Sequence, residues 1–341
     1  MSEHEKIKEV VSAHFGEPTF FAHLEPKITT LSKPLIIGVD VVGARILRSQ
    51  NPHIPLTTSE IAKECIESVK AGATIPHIHV RDSKGHATED PAMNKEVWDK
   101  VFDAVGDDIV TSNHIMENRV ARGMDMFKGY IDPLVNWNRK YLQVAATVTT
   151  DFSEPKGPLA YLLTDAELTE LVDYLETRGV KPELQMYGPG SLERIKHALL
   201  AKPGQIKRPL WINMHLGKHH SPPLSQDHWS FLQLISWYHH VKAELAHEDV
   251  VLGIYVGGRN WLPMTVLAVM LGADVIRVGM EDSLYMYPHK DEIISSNAET
   301  VRKIKAICEE LGRPVATQAQ TRQILGLDET VRKQKVASGA R

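Results

Sequence analysis

Cysteine is scarce in this chain of 341 residues: Cys65 and Cys308 stand far apart, without the CxxC spacing of a redox or structural metal site. Two buried free thiols are the expectation. Neither sign of charge is in excess. Lysine and arginine number 39 against 43 acidic residues, so the positive field that holds polyphosphate backbones is missing, and nucleic acid is not an expected partner. No stretch sustains the ~18 apolar residues of a membrane span, and the opening Met-Ser-Glu-His-Glu-Lys has no apolar leader, so a soluble cytoplasmic protein is expected. A GxGxxG loop after the first strand is also missing. The nearest glycine-rich run, Gly188-Pro189-Gly190-Ser191, comes late, lacks that spacing and reads as a turn into a helix. Dinucleotide binding therefore has no support.

What the chain does have is core, with 43% hydrophobic residues, enough for one barrel-sized domain or two ordinary ones. After a polar leader, 1–33, eight short apolar runs alternate with amphipathic helical ones. They are Pro34 to Ala44, Ala73 to Asp82, Asp108 to Ile115, Leu142 to Thr150, Lys181 to Gly188, Arg208 to Leu216, Val250 to Gly257 and Ala273 to Asp282. The helices between them have readable ends. Capping-box patterns at Thr57 to Glu60, Thr164 to Glu167 and Ser296 to Glu299 open three of them, which close near Gly72, Gly179 and Gly312. Strand, capped helix, glycine, strand is the grammar of a parallel sheet with right-handed crossovers, and eight repeats predict a single α/β (β/α)₈ barrel over 34–327, with a C-terminal tail over 328–341. An open doubly wound sheet competes, but it would gather polar chemistry at one switch point, whereas here it falls at the carboxyl ends of many strands. Met116 to Arg139 and Gly217 to Ser225 read as long βα loops, which either shape access to the active face or subunit contacts or are exposed decorative insertions.

The run Ala73-Thr-Ile-Pro-His77-Ile-His79-Val-Arg-Asp82 carries the strongest chemical signal. Side chains on a strand alternate, so His77 and His79 share a face and can share one divalent ion, for which imidazole is a good ligand. A catalytic zinc takes three protein ligands and keeps a position open. Glu281, at the end of the last apolar run, is the candidate third ligand, because a barrel brings strand ends together. Arg277 shares the face of Glu281 and can reach Asp282, a carboxylate that stays ionised between a guanidinium and a cation and can still remove an acidified α-proton. An ordinary Arg-Asp ion pair tying off a strand end is the alternative for those two.

His77-Ile-His79-Val-Arg-Asp with Gly85 and Glu89-Asp-Pro91, and Arg277-Val-Gly-Met-Glu281-Asp282-Ser-Leu-Tyr285, resemble the β-keto acid cleavage enzymes, whose founding activity is 3-keto-5-aminohexanoate cleavage. Ser296 to Glu299 and the stretch from Arg313 to Leu327 extend the similarity, which runs from about Pro34 to Leu327. The resemblance implies a (β/α)₈ barrel, a divalent metal (usually zinc), a homo-oligomer, and condensation of a β-keto acid with acetyl-CoA to give acetoacetate and a new CoA thioester. It implies that His77, His79 and Glu281 hold the metal and that Asp282, steadied by Arg277, is the base. Ser112 and Thr149 fall near the family's substrate-positioning hydroxyls, and Glu183 and Gln185 flank the position of a further carboxylate, either being its counterpart. No CoA-binding residue is singled out. Where the family's first strand ends in Thr-Gly-Ala and, in the founding activity, an acidic residue, this chain has Val42-Gly43-Ala44-Arg45, so Arg45 disfavours an amine substrate and suits a second carboxylate or another polar acceptor. Two rivals remain: an amidohydrolase-like hydrolase that recruits further histidines such as His215, and a non-catalytic barrel that binds metal for stability.

Overall fold

The computed structural model describes residues 2–15, 27–115, 124–153, 160–161, 163–201, 204–217 and 229–327. Eight parallel strands close a barrel: β1 (Ile36–Val42), β2 (Ile75–Ile78), β3 (Ser112–Asn113), β4 (Val144–Val148), β5 (Lys181–Met186), β6 (Leu210–Leu216), β7 (Val250–Val256) and β8 (Val275–Val278). Each pairs with its neighbour in sequence, and β8 returns to β1. All eight expected strands are present, and the doubly wound alternative falls with the closure of the ring.

Outside the ring pack α2 (Thr58–Ala71), α3 (Pro91–Val105), α4 (Met124–Trp137), α5 (Asp165–Thr177), the short α6 (Pro189–Arg194), α7 (Trp229–Glu244), α8 (Trp261–Leu271) and α9 (Asn297–Glu310); α1 (Glu3–Phe15) precedes them in the polar leader. Thr57 and Thr164 form the expected capping boxes, each hydroxyl accepting from the Glu three residues on, whose carboxylate accepts from the cap's own N–H. Asp90 caps α3 ahead of Pro91. Gly188 leads into α6, as its turn-like sequence predicts.

Two expectations need correction. Most of the stretch from Met116 to Arg139, read as a loop, is the barrel helix α4: Phe127, Tyr130, Ile131 and Leu134 recur at helical spacing and are buried. Gly129 and the internal Pro133 obscure that period in the sequence; the long-loop reading of 116–123 and 218–225 lies outside the described residues. At Ser296 no side-chain cap forms. The residue after it is used instead: Asn297 accepts from Met280 N–H at 2.8 Å and donates to Val41 O at 3.0 Å and Glu64 at 2.9 Å. That amide stitches β1, α2 and the end of β8 together, and a buried amide satisfied on both sides is a specific clamp.

Inside the ring, alternate residues point inward and change in character along each strand. At the amino ends lie Ile36, Ile75, Val110, Val144, Val251 and Val275, packed with Trp211 and Tyr255 and closed off by Ala316 and Leu325, which flank α10 (Gln318–Ile324). Two and four residues further on, the same faces carry Asp40, His77, His79, Ser112, Asn213, His215 and Arg277, all buried. The carboxyl-end mouth is therefore the polar end. Cys65 and Cys308 are buried free thiols, and burial pushes both up from the ordinary thiol range.

Candidate active site at the barrel mouth

His77 and His79 leave β2 in succession, and the chain then turns away into a small antiparallel pair, Val80–Arg81 with Ala87–Thr88. Arg81 and Asp82 of the same motif are structural. The buried Arg81 donates to Gly85 O at 2.8 Å and to Gly43 O, holding the loop after β1. Asp82 accepts from Lys84 N–H and His86 N–H to make the hairpin turn.

Three donor atoms converge above the strand. His77 Nε2 lies 3.2 Å from His79 Nε2, and Glu281 Oε2 is 3.7 and 3.4 Å from those two nitrogens. Ligands ~2.0 to 2.2 Å from a tetrahedral zinc are about 3.3 to 3.6 Å apart, so the spacing fits one small cation after shifts of about 0.1 Å. Glu281 Oε2 makes no hydrogen bond among the described residues although it is buried, which is what a ligand atom looks like beside its would-be ion. Protonation states agree. Burial, then the Arg277 charge, holds the His77 imidazole well below its usual range and hence neutral, against a smaller opposing pull from Glu281. Burial would raise Glu281, but the charges of His79 and Arg277 outweigh it and keep the carboxylate ionised.

Neighbouring groups orient these donors. His77 Nδ1 lies 2.9 Å from Ser112 Oγ, so with Nε2 turned to the cation, Nδ1 carries the proton and donates to the hydroxyl. Gly43 allows Glu281 its place: a Cβ there would fall 2.2 Å from Glu281 Cγ. His114 stacks on His79, centroids 4.3 Å apart and planes within 18°, and its nitrogen reaches to within 4.8 Å of the other two imidazoles. Stacked rings present their edges in parallel and cannot both aim a lone pair at one point, so Glu281 is the better third ligand.

Arg277 lies beside this cluster. Its Nη2 donates to Asp282 Oδ2 at 3.4 Å and sits 3.7 Å from Glu281 Oε1, and its guanidinium lies over the Tyr255 ring at 4.5 Å. Its closest ion pair is one the sequence reading missed, with Asp40 of β1 through Nε. The available signal was an acid on the inward face of the apolar run Ile36-Ile-Gly-Val-Asp40. Burial disfavours the charge on Arg277, but Asp40, ahead of Glu281, Asp282 and Glu183, more than compensates and keeps it cationic.

The other candidates lie on the same mouth with different engagements. Glu183 and Gln185 both point inward from β5 and are bonded to each other, Gln185 Nε2 donating to Glu183 Oε1 at 3.2 Å, while Tyr187 donates to Gln185 Oε1 at 3.0 Å. Thr149 is fully buried and donates to Gln185 O at 2.8 Å, tying the end of β4 to β5. Arg45 is half-buried on the loop after β1. His215 is packed between Tyr187 and Tyr255, at 4.6 and 5.1 Å, on the β6 wall rather than with the histidine pair. The room for that wall comes from Gly253, where a Cβ would fall 1.6 Å from Asn213 Oδ1.

A sequence model of the beta-keto acid cleavage enzyme family matches residues 34–327. The chain belongs to that family. Among curated relatives, the 3-keto-5-aminohexanoate cleavage enzyme of Acetoanaerobium sticklandii is 28% identical over 293 residues, covering 86% of this chain and 98% of the relative. The 3-oxoadipate:acetyl-CoA acetyltransferase of Cupriavidus necator is 26% identical over 301 residues, covering 87% and 96%. Among solved structures, that of apo ObcA superposes with a TM-score of 0.67 at 16% identity, covering 81% of this chain and 66% of that one, a likeness of fold. As a member of this family the chain is an enzyme, and the amidohydrolase alternative is not supported: the histidine pair lies on the second strand, and the acid at the last strand is the glutamate that completes the cluster. No helix among the described residues is long and apolar enough to cross a membrane.

Proposed function

We propose that this β-keto acid cleavage enzyme condenses a β-keto acid with acetyl-CoA, releasing acetoacetate and a CoA thioester of the remaining acyl group. The observation that carries this reading is the convergence of His77 Nε2, His79 Nε2 and Glu281 Oε2 beside an Arg277-bound Asp282. Those three donors would hold a divalent metal, zinc by their chemistry, within the barrel of residues 34–327. Such an ion, when bound, polarises a ketone oxygen and acidifies the carbon between ketone and carboxylate. Asp282 takes that proton, and Arg277 keeps the carboxylate aimed. The carbanion adds to the thioester carbonyl of acetyl-CoA and expels the CoA thiolate, which attacks the original ketone carbonyl; cleavage of that carbon–carbon bond releases the new CoA thioester, and the acetoacetate carbanion takes the proton back from Asp282. Ser112 acts by fixing the His77 tautomer. Glu183, Gln185 and Thr149 line or brace the wall that the substrate meets.

Specificity follows from Arg45. A cation there repels an ammonium-bearing substrate and attracts a second carboxylate, the kind of group named in the 3-oxoadipate relative and absent from the amino-substrate ones. We further propose a cytoplasmic homo-oligomer. Turnover of a panel of β-keto acids with acetyl-CoA, read as acetoacetate with and without chelator, tests the reading. A dicarboxylic keto acid is expected to lead the panel, and Asp282→Asn is expected to lower kcat by about a hundredfold or more. Chelator-insensitive turnover, or none with any keto acid, would overturn it.

A further inference from the structure

Arg277 stands between three carboxylates, Asp40, Glu281 and Asp282, two of which have other work to do. The register of the barrel explains how the third reaches it. Gly38 lies level with Arg277 across the β1–β8 seam, and Asp40 lies level with His77 across the β1–β2 seam, so Asp40 points inward between the arginine strand and the histidine strand. Glycines flank the pair on both strands. At Gly38 a Cβ would stand in van der Waals contact with Arg277 Cγ, at 3.4 Å, whereas on Gly279, at φ +140°, it would fall 2.2 Å from Asp40 O. Asp40 and Arg277 are almost wholly buried, so their attraction is little screened by water, and the guanidinium is divided: Nε faces Asp40 while Nη2 faces Glu281 and Asp282.

We propose that Asp40 is the positioning residue for Arg277, anchoring its Nε edge so that Nη2 orients Asp282 without drawing Glu281 away from the histidine pair. The inference rests on the roles given above to Arg277, Asp282 and Glu281. With the anchor neutralised, the guanidinium is left with Glu281 and Asp282 as its ion-pair partners, and the nearer gain is a closer pair with Glu281. That costs the cation site a ligand and the base its orientation. A residue that merely filled space would do neither.

The test is a double-mutant cycle with Asp40→Asn, which keeps shape and removes charge, and Arg277→Met. Asp40→Asn is expected to lower kcat at least thirtyfold with both KM values changed less than threefold, and to weaken zinc binding about tenfold in competition with a chromogenic chelator. In the Arg277→Met background the same change is expected to cost less than threefold in either measurement, because nothing remains to be anchored. Full additivity in both would overturn the proposal. So would a crystal structure of Asp40→Asn with the guanidinium still in its original place, a result independent of any turnover. If zinc affinity couples but no keto acid is consumed by the parent enzyme, the reaction assignment fails and the anchor stands. If Asp40→Asn does not fold, Asp40→Glu keeps the charge and displaces it by one methylene. Lowered kcat with a shifted guanidinium is then expected, and unchanged kcat overturns the anchor.

Discussion

The two ends of the barrel are built by the same eight strands and could hardly differ more. At the amino end the inward side chains are Ile36, Ile75, Val110, Val144, Val251 and Val275 under a plug of Leu325; at the carboxyl end they are acids, imidazoles and a guanidinium just as deeply buried. One end stabilises the fold by removing apolar surface from water. The other holds like charges together and leaves a buried carboxylate oxygen without a hydrogen bond among the described residues, arrangements that cost stability and are tolerable only because the rest of the ring supplies it. Activity and stability should therefore respond separately to substitutions only two to four residues apart on the same strand.

The largest expected effect is at the mouth. Glu281→Gln removes the charged donor that faces both imidazoles, and kcat/KM is expected to fall by about a thousandfold or more, with metal content dropping in parallel by elemental analysis. With both proteins chelated, so that bound metal does not enter, its unfolding midpoint in urea should change little or rise, since a buried acid is neutralised; a large fall would erase the division between the two ends. At the other end Ile36→Ala is expected to cost about 3 kcal/mol of stability with kcat and KM preserved, and lost activity in the folded variant would do equal damage.

A pH series sharpens the contrast. The folded state holds His77 neutral, so below the ordinary value of 6.5 the unfolded chain takes up a proton that the native one refuses. The contribution of a neutral His77 is therefore intact above that pH and is lost as pH falls below it, by up to ~1.4 kcal/mol per pH unit. Chelated protein unfolded in urea at pH 7 and pH 5 should show this slope, and His77→Gln should flatten it. The smallest effect lies outside the ring. Thr57→Ala removes the cap of α2 and should cost about 1 kcal/mol without touching the kinetics. Glu60 of the same box is lowered to about 2, chiefly by the Thr57 N–H, so what it contributes survives at neutral pH and is lost only as pH falls from 4.5 toward 2.

Much of this was legible from local rules. The alternation of apolar runs and capped helices is written in residues a few positions apart, and all eight strands lie where that alternation expects them. His77 and His79 share a face because a strand has period two, whatever the rest of the chain does. The misreadings are local conflicts too: Gly129 and Pro133 hid α4, and Ser296 carries a cap-like pattern whose next residue, Asn297, was claimed by the loop at Met280 and by Val41.

By itself, then, the amino-acid order determined the repeating β/α units, the face on which each inward residue lies and the identity of the histidine pair, because these depend on backbone periodicity and capping alone. Only the tertiary structure decided which partners meet: that Ser112 takes His77 Nδ1, that His114 stacks on His79, and that Arg277 is held by Asp40, far from it in sequence and one strand away in the ring. Those pairings depend on the registers at which β3 joins β2 and β8 closes onto β1, properties of the ring that no single stretch of the chain encodes.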